Sequence, residues 1–326
     1  MTIDLLEKVT VGEPQTVAGI TLFPIFGTEA VPAPIGLAGD RIEITEKDAA
    51  EVPTLVATNP TNAPVLLVEG EVVDGGRQTR TLNVSVLVPA NSSVEVPVSC
   101  VEAGRWRGGR EFSRSGKYAS REVRASKTRG VNRNVRRGRG VKSSDQGAVW
   151  GAVDSELLRF QTSHPSSAWD AVHVAAYELP DDELAPDPEA TAAEVSAETA
   201  YQKARRARLD AVAALVDQGP LAQQSGVVVA VGDQVVSAEV FASPELLAAR
   251  WEDIVRGILL DGGEERDTTV DRAAAEKFLQ DLTAADQVLT PGVGLGEDCH
   301  IESTDVVGQA LIWGDSLIHA SAFATR

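Results

Sequence analysis

Short apolar runs separated by turn residues fill the first third of this chain, and they constrain its fold more than any other feature. In the stretch 65–106 the apolar runs 65–68, 81–88 and 94–101 are separated by turn-forming residues, which include Asp74-Gly75-Gly76. Strands joined by loops of a few residues pair as antiparallel neighbours. The pattern therefore predicts an antiparallel β-sandwich or barrel-like sheet in the N-terminal part of the chain.

Helical patterns and two further hairpins follow this β-rich part. Glycine-containing turns predict β-hairpins at 226–241 and 305–325. Residues that cap helices well precede most of the amphipathic segments. The predicted helices span 146–161, 190–218, 244–260 and 271–285. Because strands and helices are segregated along the chain, the sequence predicts an α+β fold in which the helices and the two hairpins pack on the N-terminal sheet.

The chain is predicted to be one domain of 326 residues in three parts. Residues 1–106 are the β-rich part, 107–143 a basic loop or lid, and 144–326 the part made of helices and hairpins. From Arg105 to Lys142 there are 14 Lys or Arg residues and two acidic residues, although the whole chain has a net charge of −18. Such a segment is a solvated or self-docking loop, an anion-binding lid, or a nucleic-acid contact.

Of these three interpretations, nucleic-acid binding is the weakest. Stacking on bases needs aromatic side chains along a groove. The only aromatic residues of the basic segment are Trp106, Phe112 and Tyr118, and all three lie at its N-terminal end. We therefore do not expect sequence-specific binding of nucleic acid.

Composition narrows the class of protein further. No apolar run approaches the ~18 residues of a membrane span, and the N-terminus lacks the pattern of a signal peptide. The two cysteines, Cys100 and Cys299, are too few and too far apart for a disulfide framework, and the pair Cys299-His300 is not a zinc signature. His319 lies in an apolar run and is predicted to be a core histidine. The sequence predicts a cytoplasmic protein with no membrane contact and no Cys- or His-based metal site, and it indicates no particular cofactor.

Four residues are candidates for catalysis: Glu69, Glu71, Cys100 and Glu102. If the strand stays regular through Gly70, the carboxylates of Glu69 and Glu71 lie on one face about 7 Å apart. In such a pair, one carboxyl group acts as a general acid and the other as a general base, or both coordinate one divalent cation. A nearby arginine lowers the pKa of a cysteine and makes it a nucleophile. The alternatives are carboxylates that pair with arginines and a cysteine that only packs.

A second group of residues is typical of an anion site. A double glycine lets backbone N–H groups approach an anion, and an arginine fork fits a phosphate or a carboxylate. The pattern is neither a Walker motif nor a dinucleotide motif. The alternative is an ordinary hairpin turn with exposed arginines. The candidate ligand-binding residues are Gly75, Gly76, Arg77, Gln78, Arg80, Asn83, Arg105 and Trp106.

Several motifs of this chain resemble a known family of prokaryotic proteins. The matching residues are 65–71 (VLLVEGE), 75–80 (GGRQTR), 97–106 (PVSCVEAGRW), 144–150 (SDQGAVW) and the tail 308–323. They resemble the ADP-ribosylglycohydrolase- and rhodanese-phosphatase-superfamily-associated protein domain family, which usually has Asn at the position of Thr79. That family has no established reaction. Its association with enzymes of ADP-ribose and of phosphorylated substrates implies a ligand that bears phosphate, such as a nucleotide or an ADP-ribose-like compound.

Two main functions are consistent with these residues. In the first, Arg77, Arg80 and Arg105 hold the phosphate of a small molecule, and a glutamate acts as a base or as a metal ligand in hydrolysis or transfer. In the second, the protein is a non-enzymatic structural or interaction module. Its Glu and Arg side chains then form a buried network, and its basic segment docks a partner or the acidic part of the chain. A homo-oligomer formed through an exposed apolar sheet face is a further alternative.

Overall fold

A computed structural model describes residues 3–17, 19–28, 34–37, 41–138, 140–159, 206–207, 209–259 and 270–325. The strands are β1 (Thr10–Val11), β2 (Gln15–Val17), β3 (Ile20–Phe26), β4 (Gly36–Leu37), β5 (Glu43–Glu51), β6 (Thr54–Asn59), β7 (Val65–Leu67), β8 (Glu71–Gly75), β9 (Arg80–Leu82), β10 (Val86–Val88), β11 (Ser92–Cys100), β12 (Glu111–Tyr118), β13 (Gln224–Val231), β14 (Gln234–Phe241), β15 (Asp286–Pro291), β16 (Glu297–Glu302), β17 (Val306–Trp313) and β18 (Ser316–Ala324). The helices are a 3-10 helix at Ile3–Lys8, α1 (Arg121–Arg136), α2 (Gln146–Arg159), α3 (Pro244–Ala248), α4 (Trp251–Leu259) and α5 (Arg272–Ala284). A further helical stretch covers 209–218.

Six strands close into an antiparallel barrel. Their order is β11-β6-β5-β12-β8-β9, and β9 pairs back onto β11. Buried and partly buried residues alternate along β6, as expected for a strand with one face toward a core. Ile44, Leu55, Val73 and Leu82, which come from four different barrel strands, belong to one apolar cluster. The predicted barrel-like N-terminal sheet is therefore confirmed.

A second sheet has nine strands and joins both ends of the chain. Its order is β1-β3-β13-β14-β18-β17-β16-β15, and β2 also pairs with β3. The two predicted hairpins, β13–β14 and β17–β18, are both present and meet where β14 pairs with β18. A small sheet of β10, β7 and β4 completes the strands. The α+β class is confirmed, with the early strands β1, β2 and β3 belonging to the sheet of the C-terminal hairpins.

Two of the predicted helices, those at 146–161 and 271–285, are found close to their predicted limits as α2 and α5. In α5 the Asp271 side chain caps the helix by accepting the N–H of Ala274 at 2.9 Å. The segment predicted as one helix at 244–260 is instead two helices, α3 and α4, separated by a turn at 249–250. The predicted helix at 190–218 lies mostly outside the described residues. In the described part of the chain, no helix combines the length and the apolar composition of a membrane span.

The basic segment 107–143 differs from the prediction of a loop or lid. It contains β12, a strand of the barrel, and α1, which begins after the cap residue Ser120. One face of α1 buries Val123, Lys127 and Val131, which are spaced four residues apart. A cation at the centre of that face hides the apolar periodicity, and this explains why the sequence pattern did not indicate a helix. The division of the chain into three parts within a single domain stays a prediction.

Candidate functional site

The candidate residues near the start of β8 separate into two environments because the chain bends at Gly70. The backbone of Gly70 has a φ of 84°, and its N–H donates to the carbonyl of Leu82 at 3.0 Å. A Cβ at this position would lie 2.3 Å from Nε of Arg124, so only glycine allows that close approach. The strand is therefore not regular between Glu69 and Glu71, and the two carboxylates have different partners.

Glu69 belongs to a buried charge network, which consists of the side chains of Ser85, Glu69, Arg124, Lys127, Glu239, His319 and Ser321. The Glu69 side chain is 0% exposed and accepts Arg124 Nη2 at 2.7 Å. Lys127 Nζ forms an ion pair with the same carboxylate, and Ser321 Oγ donates to it at 2.9 Å. Burial raises the pKa of Glu69, but the charges of Arg124 and Lys127 outweigh burial and hold that pKa at about 2.

The buried charge network continues from Arg124 into the nine-stranded sheet. Arg124 Nη2 lies 2.5 Å from Glu239 Oε1, and Glu239 Oε2 lies 2.9 Å from His319 Nε2. His319 Nδ1 in turn lies 2.8 Å from Ser85 Oγ. His319 is thus a buried histidine with both ring nitrogens hydrogen-bonded, as the sequence predicted. The network ties α1 and the chain segments beside the barrel to β14 and β18.

Glu71 faces a different set of cations. Its carboxylate is buried, pairs with Arg114 and lies 3.9 Å from Arg250 Nη2. Burial raises the pKa of Glu71, but the charges of Arg114 and Arg250 lower it by more than burial raises it, so the net shift is downward. Among the described residues no group of three or more His, Cys, Asp or Glu side chains is placed to hold a metal ion. The pairing of Glu71 with arginines corresponds to the structural alternative for this residue.

Arg80 lies at one end of the barrel and is the most unusual side chain there. Arg80 on β9 lies opposite Cys100 on β11 in the antiparallel pairing of these strands, and its side chain is 0% exposed. Its Nε donates to the carbonyl of Val52 at 3.2 Å, whereas Nη1 and Nη2 have no hydrogen-bond partner among the described residues. Burial is the main cause that lowers the pKa of Arg80. A buried guanidinium whose two terminal nitrogens lack acceptors is uncommon in native proteins.

An aromatic side chain covers this arginine. The Trp106 ring centroid lies 5.8 Å from Cζ of Arg80 and 5.5 Å from Cζ of Arg77, which are cation–π distances. Trp106 is 43% exposed and Arg77 is exposed as well. The site therefore has one buried cation, one exposed cation and a partly exposed aromatic ring within cation–π distance of both.

Two buried oxygen atoms near Arg80 also lack partners. Glu46 Oε1 accepts the backbone N–H of Arg77 at 3.0 Å, and Gln78 Nε2 donates to the carbonyl of Glu102 at 3.0 Å. Glu46 Oε2 and Gln78 Oε1 have no hydrogen-bond partner in the described part of the chain. We call Glu46, Arg77, Gln78, Arg80 and Trp106 the barrel-mouth cluster.

Sequence reasoning missed Glu46 as a member of this cluster. Glu46 lies on β5, 31 to 34 positions before Arg77, Gln78 and Arg80 and 60 before Trp106, and is only 1% exposed. A signal was present, because Glu46 continues the alternation of Ile42 and Ile44, which places it on the buried face of the strand. The main partners of Glu69 and Glu71, which include Arg124 and Arg250, carried no comparable signal.

Cys100 and Glu102 are both engaged with their neighbours. Cys100 is buried, its thiol donates to the carbonyl of Glu102 at 3.0 Å, and burial raises its pKa, which disfavours the nucleophilic thiolate. The Glu102 carboxylate accepts the N–H of Thr79 at 3.0 Å and Nε of Arg105 at 2.6 Å. Thr79 also donates its hydroxyl to Glu102, so it forms a polar contact at the position where the family usually has Asn.

The remaining candidates surround the turn between β8 and β9 or lie away from it. Arg105 donates to the carbonyls of Gly75 and Gly76 at 3.3 and 3.2 Å, and the N–H of Gly76 donates to Glu111. A Cβ on Gly76 would lie 2.0 Å from the Phe112 ring, which explains that glycine by packing. Asn83 is buried between the Lys142 carbonyl and Ser99, apart from the barrel-mouth cluster. Ligand binding by these residues stays a prediction.

Comparison with known proteins identifies the family. A family model described as the ARG and Rhodanese-Phosphatase-superfamily-associated Protein domain matches residues 8–323. The chain belongs to this family, and the resemblance inferred from its motifs is confirmed. The comparisons with curated proteins and with solved structures find no match to the chain.

Proposed function

Starting from this family membership, we propose that the protein binds an anionic, phosphate-bearing ligand of the nucleotide or ADP-ribose-like class at the barrel-mouth cluster. The observation that carries the proposal is the Arg80 guanidinium, which is buried and has two terminal nitrogens without partners among the described residues. A phosphate offers acceptor oxygens in the geometry that an arginine fork binds.

The free energy of burying a cation supports this reading. Desolvation of an unpaired charge costs several kcal/mol, and native proteins usually pair such a group. Arg124 shows the usual solution in the same chain, because it contacts the carboxylates of both Glu69 and Glu239. Arg80 lacks any such ion pair in the described residues, so a bound anion is the partner that would offset its desolvation.

The surface around Arg80 suits the rest of such a ligand. Exposed Arg77 supplies a second cation for a diphosphate or a second phosphate. Trp106 is partly exposed and is the aromatic side chain of the cluster on which a nucleobase would stack, an interaction of about 1–3 kcal/mol. Trp106 also contacts Arg80, so a ligand that reaches Arg80 displaces this ring.

We infer binding in preference to catalysis from the state of the predicted catalytic residues. Glu69 and Glu71 each form ion pairs with cationic side chains, and Glu102 accepts hydrogen bonds from Thr79 and Arg105. Burial raises the pKa of the Cys100 thiol. None of these four side chains presents an activated base or nucleophile to the barrel-mouth cluster. The cytoplasmic location and a homo-oligomeric state remain predictions from the sequence.

A second candidate function is a non-enzymatic structural or interaction module. The buried charge network favours it, since Glu69, Arg124 and Glu239 connect α1 with the nine-stranded sheet. Removing one member of a buried pair costs about 3–5 kcal/mol because the other charge stays buried. Such a network fixes the arrangement of the elements and requires no ligand.

Thermal unfolding of the purified protein against a panel of ligands distinguishes the two candidates. The panel contains nucleotides, ADP-ribose, sugar phosphates and divalent cations. A ligand that binds only the native state raises the unfolding free energy by about 2.7 kcal/mol at a hundredfold excess over Kd. We expect a phosphate compound to raise the Tm of the wild type and of the control Arg107→Ala, an exposed arginine nearby, but not of Arg80→Met. No shift with any phosphate compound would favour the structural module.

A further inference from the structure

We propose that the ligand is a phosphorylated sugar whose hydroxyl groups donate to Glu46 and Gln78 beside the phosphate on Arg80. This inference rests on the proposed function and adds to it the class of the ligand. It depends on the oxygen atoms of the barrel-mouth cluster, which a phosphate ion satisfies poorly because it is negatively charged and mainly an acceptor.

Two acceptor oxygens of the cluster are fixed in position and lack donors. Glu46 Oε1 is held by the N–H of Arg77, and Gln78 Nε2 is held by the Glu102 carbonyl, so both side chains have fixed orientations. Their other oxygens, Glu46 Oε2 and Gln78 Oε1, are buried and have no donor among the described residues. A buried oxygen that stays without a donor destabilises the protein, and a ligand that supplies the donor binds more tightly for that reason.

The negative charge of Glu46 favours a neutral donor over a second anion. Phosphate oxygens are mainly acceptors and carry negative charge, so an inorganic phosphate next to Glu46 meets a like charge. A sugar hydroxyl is a neutral donor, and carboxylates bind ribose hydroxyls in this way in dinucleotide sites. One ligand satisfies both halves of the cluster when its phosphate lies on Arg80 and its hydroxyls lie on Glu46 and Gln78.

A contact within the protein is the competing explanation. Glu46 and Arg80 carry opposite charges at the same end of the barrel. In this explanation a water molecule bridges the two side chains, or a small side-chain rotation brings them into direct contact. In that case the cluster is satisfied without a ligand. The affinity for sugar phosphates would then be indistinguishable from that for inorganic phosphate.

The test compares the Kd of three probes: inorganic phosphate, ribose 5-phosphate and ribose. Isothermal titration of the wild type should show ribose 5-phosphate binding at least about tenfold more tightly than phosphate, the effect of one hydrogen bond to a charged acceptor. In Glu46→Gln the amide oxygen can still accept the Arg77 N–H, and the amide NH₂ then faces the ligand. We expect phosphate to bind this variant as tightly or more tightly, while the preference for ribose 5-phosphate falls to less than about threefold.

Two further variants keep the test decisive. Glu43→Gln is the matched control, since Glu43 is an exposed carboxylate on the same strand β5, and its preference should equal that of the wild type. Gln78→Leu removes the second acceptor and should reduce the preference several-fold even if Glu46→Gln does not fold. Phosphate compounds that bind through Arg80 without any preference for the sugar would overturn this inference alone. Failure of every phosphate compound to bind would overturn the proposed function as well.

Discussion

Replacing Arg80 with methionine should not destabilise the ligand-free protein, although Arg80 is one of its largest fully buried side chains. Methionine has a similar volume and keeps the apolar contacts of the arginine stem. If the function of Arg80 is to bind a ligand, its buried charge lowers the stability of the ligand-free protein. Active-site and binding residues often lower stability in this way.

The magnitude follows from the contacts of Arg80. The variant loses one hydrogen bond, from Nε to the Val52 carbonyl, which contributes about 1 kcal/mol. It also loses a cation–π contact with Trp106 of about 0.5–1 kcal/mol. Against these losses, it no longer desolvates an unpaired guanidinium, a cost of several kcal/mol. We expect the unfolding free energy of Arg80→Met to equal that of the wild type or to exceed it by up to ~2 kcal/mol.

Arg124→Met is the matched comparison, since Arg124 is also a buried arginine. This variant leaves Glu69 and Glu239 buried with one cation fewer. We expect it to lose about 3–5 kcal/mol. The two variants thus separate an arginine maintained for a ligand from an arginine that stabilises the fold.

Urea unfolding followed by circular dichroism measures both unfolding free energies, and the slope of each curve checks that the native state is comparably compact. A loss of more than about 2 kcal/mol in Arg80→Met, close to the loss in Arg124→Met, would refute the reasoning. Arg80 would then be a structural arginine whose partner is internal.

Three other predictions concern titration and reactivity. The pKa of Glu69 is about 2 in the folded protein, against 4.5 for an unperturbed glutamate. Its ionised form therefore stabilises the fold fully above pH 4.5, and this stabilisation is lost as the pH falls toward 2. In Glu69→Gln the unfolding free energy should depend less on pH over that range. Burial raises the pKa of Asp298 from 3.8 to about 6. The protonated carboxyl therefore contributes stability that is fully present below pH 3.8 and is lost as the pH rises through 6. The unfolding free energy of Asp298→Asn should not show this decrease between about pH 4 and 6. Both cysteines are free and buried with raised pKa values, so a thiol reagent at pH 7 should modify neither until the protein unfolds; fast labelling of Cys100 would contradict its assignment as a packing residue.

Local patterns predicted much of the fold. The period-2 runs of β6 and the turns of the two hairpins carry their information within a few residues, so the strands and the α+β class followed from the sequence. The break between α3 and α4 did not, since amphipathic periodicity continues across the turn at 249–250. Helix α1 was missed because buried Arg124 and Lys127 carry charges that sequence reasoning assigns to the surface.

The candidate site was predictable only in part, for a related reason. Arg77, Gln78, Arg80 and Trp106 are close in sequence, and their density near a turn indicated an anion site. The partners that decide the role of each residue come from distant segments. Glu239, for example, lies more than a hundred positions from Arg124, and Glu46 reaches the turn from β5. Pairing between distant charges depends on the closed barrel and the nine-stranded sheet, which no local pattern specifies.

The central claim is that Arg80 holds the phosphate of a ligand. Phosphorus NMR of ADP-ribose or ribose 5-phosphate, recorded with the wild type and with Arg80→Met, tests it most directly. We expect the phosphorus resonance to shift or broaden with the wild type and to stay that of the free compound with the variant. Equal broadening with both proteins would place the phosphate elsewhere, and an unchanged resonance with both would contradict the claim.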